Sequence, residues 1–250
     1  MRRIKIMTYN VHYGIGRDRR YGLDRIIDVI KGENPDVVAL QEIDKNLPRT
    51  NFDDQAEIIA DALGMNCHYC LNCCIENGEL GMATLSRFPV EENQRHDISF
   101  CTRLKVRTIR PRCIFHTGIV ADSTRLDVFN AHLGLGVRER VHQRSKLLSN
   151  AILLDEKLED PIVIMGDFND NPISVVHSRF RKHFNDAFKL TNGRKRGAAT
   201  FYWGPLKLKL DHIYVSERLK PVESYVVDTP LSRVASDHIP LVAVLEATTQ

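Results

Sequence analysis

Residues 161–170, PIVIMGDFND, constrain this chain more than any other stretch. Ile162, Val163, Ile164 and Met165 run straight into Gly166, then Asp167, Phe168, Asn169 and Asp170. A short unbroken apolar run bounded by Pro and Gly reads as a strand covered on both faces. Glycine then lets the chain bend sharply or approach a neighbour closely. The acceptor-rich residues begin where the buried strand ends, and that is where open sheets place ligands. Asp and Asn are also good turn formers, so this segment alone is equally compatible with a solvated turn. Recurrence of the pattern elsewhere in the chain separates the two readings.

Residues 3–10 alternate apolar and polar, as a first strand that closes on Tyr9 and Asn10. Leu23, Ile26, Ile27 and Ile30 have helical spacing, with Gly32 as a stop. A second strand, 36–40, runs into Gln41 and Glu42. Asp53 is placed to cap a second helix that Gly64 closes. Strands are expected at 66–76 and 80–87 around the hairpin signal Asn77-Gly78. Further strands fall at 111–120 and 125–132, the latter ending in Asn130 and His132. A long helix is expected over 137–158 and a short one over 174–184, with strands at 208–215, 221–228 and 240–246. Strand ends therefore carry Asn10, Glu42, His132, Asp167, Asn169, Asp211 and His212, and the last strand follows Ser236-Asp237-His238. If these ends share one rim of the sheets, they form a single polar pocket. Strands interleaved with helices indicate an α/β domain with two sheets or one large mixed sheet.

The chain has 250 residues, 43% hydrophobic and 27% charged, which is ordinary globular composition. No linker-like or low-complexity run divides it, so one domain over residues 1–250 is expected. A net charge of +3 does not by itself imply nucleic acid or a membrane. The two N-terminal arginines lack the apolar core of a signal peptide, and no run approaches the roughly 20 apolar residues of a spanning helix. A cytoplasmic monomer is expected. The run NCHYCLNCC suggests zinc or iron–sulfur. Against that, no second Cys pair follows, and on a strand Cys67 and Cys70 point to opposite faces.

Packed carboxylates repel one another and lose hydration, so they protonate or take a cation. No Lys or Arg stands beside each acid to pair with it. Oxygen donors such as Glu42, Asp237 and Asn10 favour magnesium or manganese over zinc. A hard cation in such a pocket suits phosphate ester cleavage. Histidine supplies proton transfer or hydrogen-bond donation near neutral pH. His12 and His212 are read as structural.

The pieces TYNVH, VALQE, GMATLSRFPV, FNAHLG, IVIMGDFND, LDHIYVS and SDHIPL resemble, in that order, the endonuclease/exonuclease/phosphatase superfamily. The resemblance implies a four-layer α-β-β-α sandwich of two packed mixed sheets flanked by helices. It implies Glu42 as principal metal ligand, with Asn10 and Asp237 near a Mg2+ or Mn2+ ion. Asp167 aligns or deprotonates the attacking water, and Asn169 and His132 donate to phosphate oxygens. His238 stabilises the transition state or acts as base, oriented by Asp211. His12 stands where many DNA-cleaving members carry an acid or amide, which weakens an apurinic endonuclease reading.

The implied function is a metal-dependent phosphodiesterase or phosphatase acting on nucleic acid, a phospholipid headgroup or a small phosphate ester. Arg112, with the basic stretch 103–110, is a candidate for tracking phosphate, and so is 194–196. Phe201, Tyr202 and Trp203 are stacking candidates. The alternative is a non-catalytic binding module that keeps the fold.

Overall fold

The computed structural model describes residues 3–100, 110–121, 124–158, 161–193 and 199–247. In chain order it forms β1 (Arg3–Asn10), α1 (Leu23–Glu33), β2 (Val37–Lys45), α2 (Gln55–Leu63), β3 (Asn66–Ile75), β4 (Gly78–Ser86) and β5 (Val90–Asp97). Then follow β6 (Cys113–Ala121), β7 (Thr124–His132), α3 (Val137–Leu147), β8 (Ile162–Asp167), α4 (Val175–Phe180), β9 (Asn185–Asp186) and α5 (Ala187–Asn192). The chain closes with β10 (Phe201–Trp203), β11 (Leu206–Leu208), β12 (Asp211–Val215), β13 (Leu219–Val226), α6 (Ser232–Ala235) and β14 (Leu241–Ala247).

Two six-stranded sheets form, ordered β13-β14-β1-β2-β4-β3 and β5-β6-β7-β8-β12-β9; β10 and β11 make a separate ribbon. Each sheet is mixed, with one parallel pair, β1/β2 or β7/β8, among antiparallel neighbours. Strand alternation assigns the layers. In β1, Ile4 and Ile6 face the second sheet, while Met7 and Tyr9 face the layer of α1 and α2. In β8, Val163 and Met165 face the first sheet, while Ile162 and Ile164 pack against Leu147 of α3 and Val176 and Phe180 of α4. The central apolar run is therefore covered on both faces, and the architecture is the expected four-layer α/β sandwich. Among the described residues, no helix is long and apolar enough to cross a membrane.

Several boundaries move. Gly32 stays inside α1, which ends at Asn34 in the left-handed region (φ 50°), its N–H reaching Ile30 and Lys31 carbonyls. Asp54, not Asp53, precedes α2; Asp53 accepts the Tyr21 hydroxyl at 2.6 Å. The helix expected to 158 stops at Leu147. Ile152 and Leu153 are buried as a helix face would be, but they sit in turns, with Leu153 N–H returning to the Leu147 carbonyl at 3.1 Å. The strand expected from 208 is interrupted, because β11 pairs with β10 before β12 begins. Cys67 and Cys70 do fall on opposite faces of β3, in different apolar clusters. The basic residues 103–107 and 194–196 lie outside the described residues.

Gly166 lets β8 pass its neighbour. Its φ is 151°, and a Cβ there would stand 1.9 Å from the Ala131 carbonyl oxygen of β7. Backbone cannot yield as a flexible side-chain end does. Gly166→Ala is expected to lower unfolding free energy by about 3 kcal/mol or more in urea titration. An unchanged midpoint would show that this close approach is not required.

Candidate active site

Strand register builds the site. His132 ends β7 directly opposite Asp167 of β8, and Asp211 opens β12 opposite the same aspartate. Three adjacent strands thus deliver His132, Asp167 and Asp211 in one row. From the first sheet, Asn10 ends β1 and donates through Nδ2 to Asp167 Oδ2 at 3.0 Å. Buried Asn130 ties the sheets together behind this contact. It donates to the carbonyls of Leu40 at 3.1 Å and Ala83 at 3.0 Å, and accepts from Gln41 at 2.8 Å.

Glu42 reaches the same rim through a β-bulge. Gln41 pairs with Met82 and Ile43 with Gly81, so Glu42 is the extra residue, at φ 57°. Such bulges re-aim a side chain. His12, Tyr13 and Asn169 also have positive φ, at 45°, 57° and 49°. All four residues line one cleft of about 840 Å³. Non-glycine residues in this region cost energy and cluster at functional sites.

Before β14, His238 lies between two acids. Its Nδ1–H donates to Asp211 Oδ2 at 2.8 Å, and its Nε2 stands 3.6 Å from Asp167 Oδ2. Burial alone would make this imidazole less basic, but the Asp211 and Asp167 charges outweigh it and raise its pKa to about 10. Burial, reinforced by Asp211, raises Asp167 to about 7 against the pull of His238. His132 Nε2 is 3.5 Å from Asp167 Oδ2 and 3.8 Å from Glu42 Oε1. Burial and the nearby Arg112 and His238 charges hold His132 well below the ordinary imidazole value, hence neutral. Asn169 fixes Asp167 by donating its backbone N–H to Oδ1 at 2.8 Å, while its side-chain amide donates to the Leu133 carbonyl at 2.9 Å.

Asp167, Asp211 and His238 also bring ligand-type atoms within 4.8 Å of one another. We read that trio as a proton-holding relay, because the Nδ1–Asp211 hydrogen bond commits one nitrogen. The oxygen donors that face the cleft for a hard cation are those of Glu42, Asp237 and Asn10, whose Oδ1 also accepts the His12 N–H at 3.0 Å.

Arg112 lines the cleft, and Trp203 does not. Trp203 is 73% exposed on the β10–β11 ribbon, while Phe201 of the same strand lies 4.9 Å from the His238 ring. Tyr13 lines the cleft without having been singled out in the sequence, and Arg110 stood there only as part of a phosphate-tracking basic stretch. Arg110 donates to the Tyr13 hydroxyl at 2.8 Å, and Arg49, held by Asp44 at 2.7 Å, stacks on the Tyr13 ring at 3.8 Å. Burial, with the Glu42 charge, raises the Tyr13 hydroxyl to about 12. The sequence signal for this pair was only a Tyr after TYNVH and one Arg in a basic run.

A four-layer sandwich with buried acids, imidazoles and amides at the rim shared by its two sheets defines a recognisable class of protein. The chain belongs to the Endonuclease/Exonuclease/phosphatase family, whose sequence model matches residues 7–238. It is 29% identical to the uncharacterized protein YbhP of Escherichia coli K12, over 96% of this chain and 94% of that protein. Among solved structures, an endonuclease/exonuclease/phosphatase from Beutenbergia cavernae superposes with a TM-score of 0.81 at 19% identity, covering 99% of this chain and 72% of that one. The human nocturnin catalytic domain, with bound sulfate, gives 0.74 at 21% identity, covering 98% and 95%.

Proposed function

We propose that the protein is a magnesium- or manganese-dependent phosphodiesterase, acting as a cytoplasmic monomer. Its carrying observation is that Asn10, Glu42, His132, Asp167, Asp237 and His238, from both sheets, line one cleft. The donor set fits a hard divalent cation: two carboxylates and an amide oxygen. Glu42, Asp237 and Asn10 would hold the ion, which would supply neutralisation of phosphate charge and a water easier to deprotonate.

The chain's own groups supply the rest. Asp167, with a pKa of about 7, accepts the proton of the attacking water near neutral pH. His238 remains an imidazolium and donates from Nε2 to a phosphoryl oxygen, oriented through Nδ1 by Asp211. Neutral His132 donates to a second oxygen, Asn169 sets the Asp167 carboxylate, and Arg112 binds the phosphate ester. Hydrolysis of bis-p-nitrophenyl phosphate tests this reading. Activity is expected with magnesium or manganese, lost in chelator and restored by added metal. Turnover that persists in chelator would contradict the metal requirement.

A further inference from the structure

Exposed apolar side chains that the chemistry does not use lie on segments that flank the cleft, and Leu135 among them lines it. On one lip, Leu135 is 69% and Val137 63% exposed at the start of α3; Ile173 is 88% and Val175 53% exposed at the start of α4. These two loops follow β7 and β8, the strands that carry His132 and Asp167. Buried Arg140 holds them side by side, donating to the Gly134 and Leu135 carbonyls and pairing with Asp170 at 3.4 Å. Arg144 reaches the Val175 carbonyl. On the other lip, the ribbon that places Phe201 and Leu208 in the cleft projects Trp203 and Leu206 outward.

The charge around these residues is predominantly basic. Arg138, Arg179, Lys182 and Lys207 are exposed on the same elements or just beyond them. Of the neighbouring acids, Asp170 is paired with Arg140 at 3.4 Å, while Glu139 keeps its charge and accepts from the Gln143 amide at 3.1 Å. The lip formed by α3 and α4 is aliphatic and has no ring face on which a base can stack, which disfavours single-stranded nucleic acid there. Aliphatic residues and a Trp among cations match an acyl-chain boundary beneath anionic headgroups.

We propose that both lips of the cleft seat on an anionic phospholipid surface and present a headgroup phosphoester to the site; the second half of this rests on the hydrolase reading above. Leu135, Val137, Ile173, Val175, Trp203 and Leu206 enter the boundary, and the arginines and lysines meet the headgroups. The test is co-sedimentation of the full chain, in chelator, with phosphatidylcholine vesicles with and without phosphatidylglycerol. Soluble bis-p-nitrophenyl phosphate turnover with metal is measured in parallel.

Wild type is expected to sediment with anionic vesicles, weakly with neutral ones, and less as salt rises. The double variant Val137→Ser, Ile173→Ser alters two exposed residues that do not line the cleft. It is expected to lose vesicle affinity by about a hundredfold while keeping soluble turnover. Wild type that cleaves the soluble diester yet ignores anionic vesicles, or a double variant that binds like wild type, overturns the docking surface and leaves the hydrolase reading standing. Vesicle binding by a protein inactive on the diester supports the surface and removes the hydrolase reading. A dimer abolished by the double variant, without vesicle binding, assigns the patch to a second copy and overturns the proposal.

Discussion

Asp167→Asn is expected to lower bis-p-nitrophenyl phosphate turnover about a thousandfold or more, with the fold intact. Asparagine keeps the size of the side chain and an oxygen to accept the Asn169 N–H, which now reaches Oδ1 at 2.8 Å. It cannot take a proton from water. Burial holds the Asp167 pKa near 7, so the native carboxylate is costly to ionise where it stands. The new Nδ2 stands where Oδ2 accepted the Asn10 amide, so relief of the buried charge is offset by a lost hydrogen bond and the variant should stay folded while losing activity. A cation bound nearby draws the Asp167 pKa down, so the rising limb of the pH–rate profile is expected at or below pH 7. Turnover within tenfold of wild type would assign the proton to another group.

His238→Ala is the second large loss, again about a thousandfold. The imidazolium Nε2 is the nearest cationic donor to Asp167 among the described residues, at 3.6 Å. Alanine also strands Asp211, whose Oδ1 already lacks a hydrogen-bond partner among the described residues, so some stability is lost with the activity. Asp211→Asn separates the two effects. It leaves His238 in place but removes the larger of the two charges, Asp211 and Asp167, that together outweigh burial. A group that works as a cation fails as pH rises through its pKa. The falling limb, held above the ordinary imidazole value in the wild type by the neighbouring carboxylates, should move down toward that value in Asp211→Asn. An unmoved limb would mean that Asp211 only packs against His238.

The legible parts of the chain were those where a period-two or continuous apolar run meets a polar end. β1, β2, β7 and β8 have this form; the ends of β1, β7 and β8 deliver Asn10, His132 and Asp167, while β2 runs on past the expected end to Lys45 and carries Glu42 on its bulge. β5 was invisible because its residues, VEENQRHD, lie on a sheet edge and are largely exposed, leaving no apolar alternation to read. The overlong α3 was misread for the opposite reason: Ile152 and Leu153 are buried at helix-like spacing but in turns. The site's residue types were readable, while its geometry was not. No local signal announces the bulge that turns Glu42 inward, since it depends on how β2 and β4 pair. The same holds for Tyr13, whose position depends on Arg49 and Arg110 from distant segments.

The most direct measurement is a manganese titration of chelator-treated protein, following bound metal and diester hydrolysis together, for wild type and Glu42→Gln. Wild type should gain activity in step with metal bound at the cleft. Glu42→Gln, which removes one carboxylate charge from the proposed ligand set, should bind at least about tenfold more weakly and need correspondingly more metal for activity. Equal manganese affinity and equal activation in the two proteins would contradict a cation held by Glu42 at the rim where the two sheets meet.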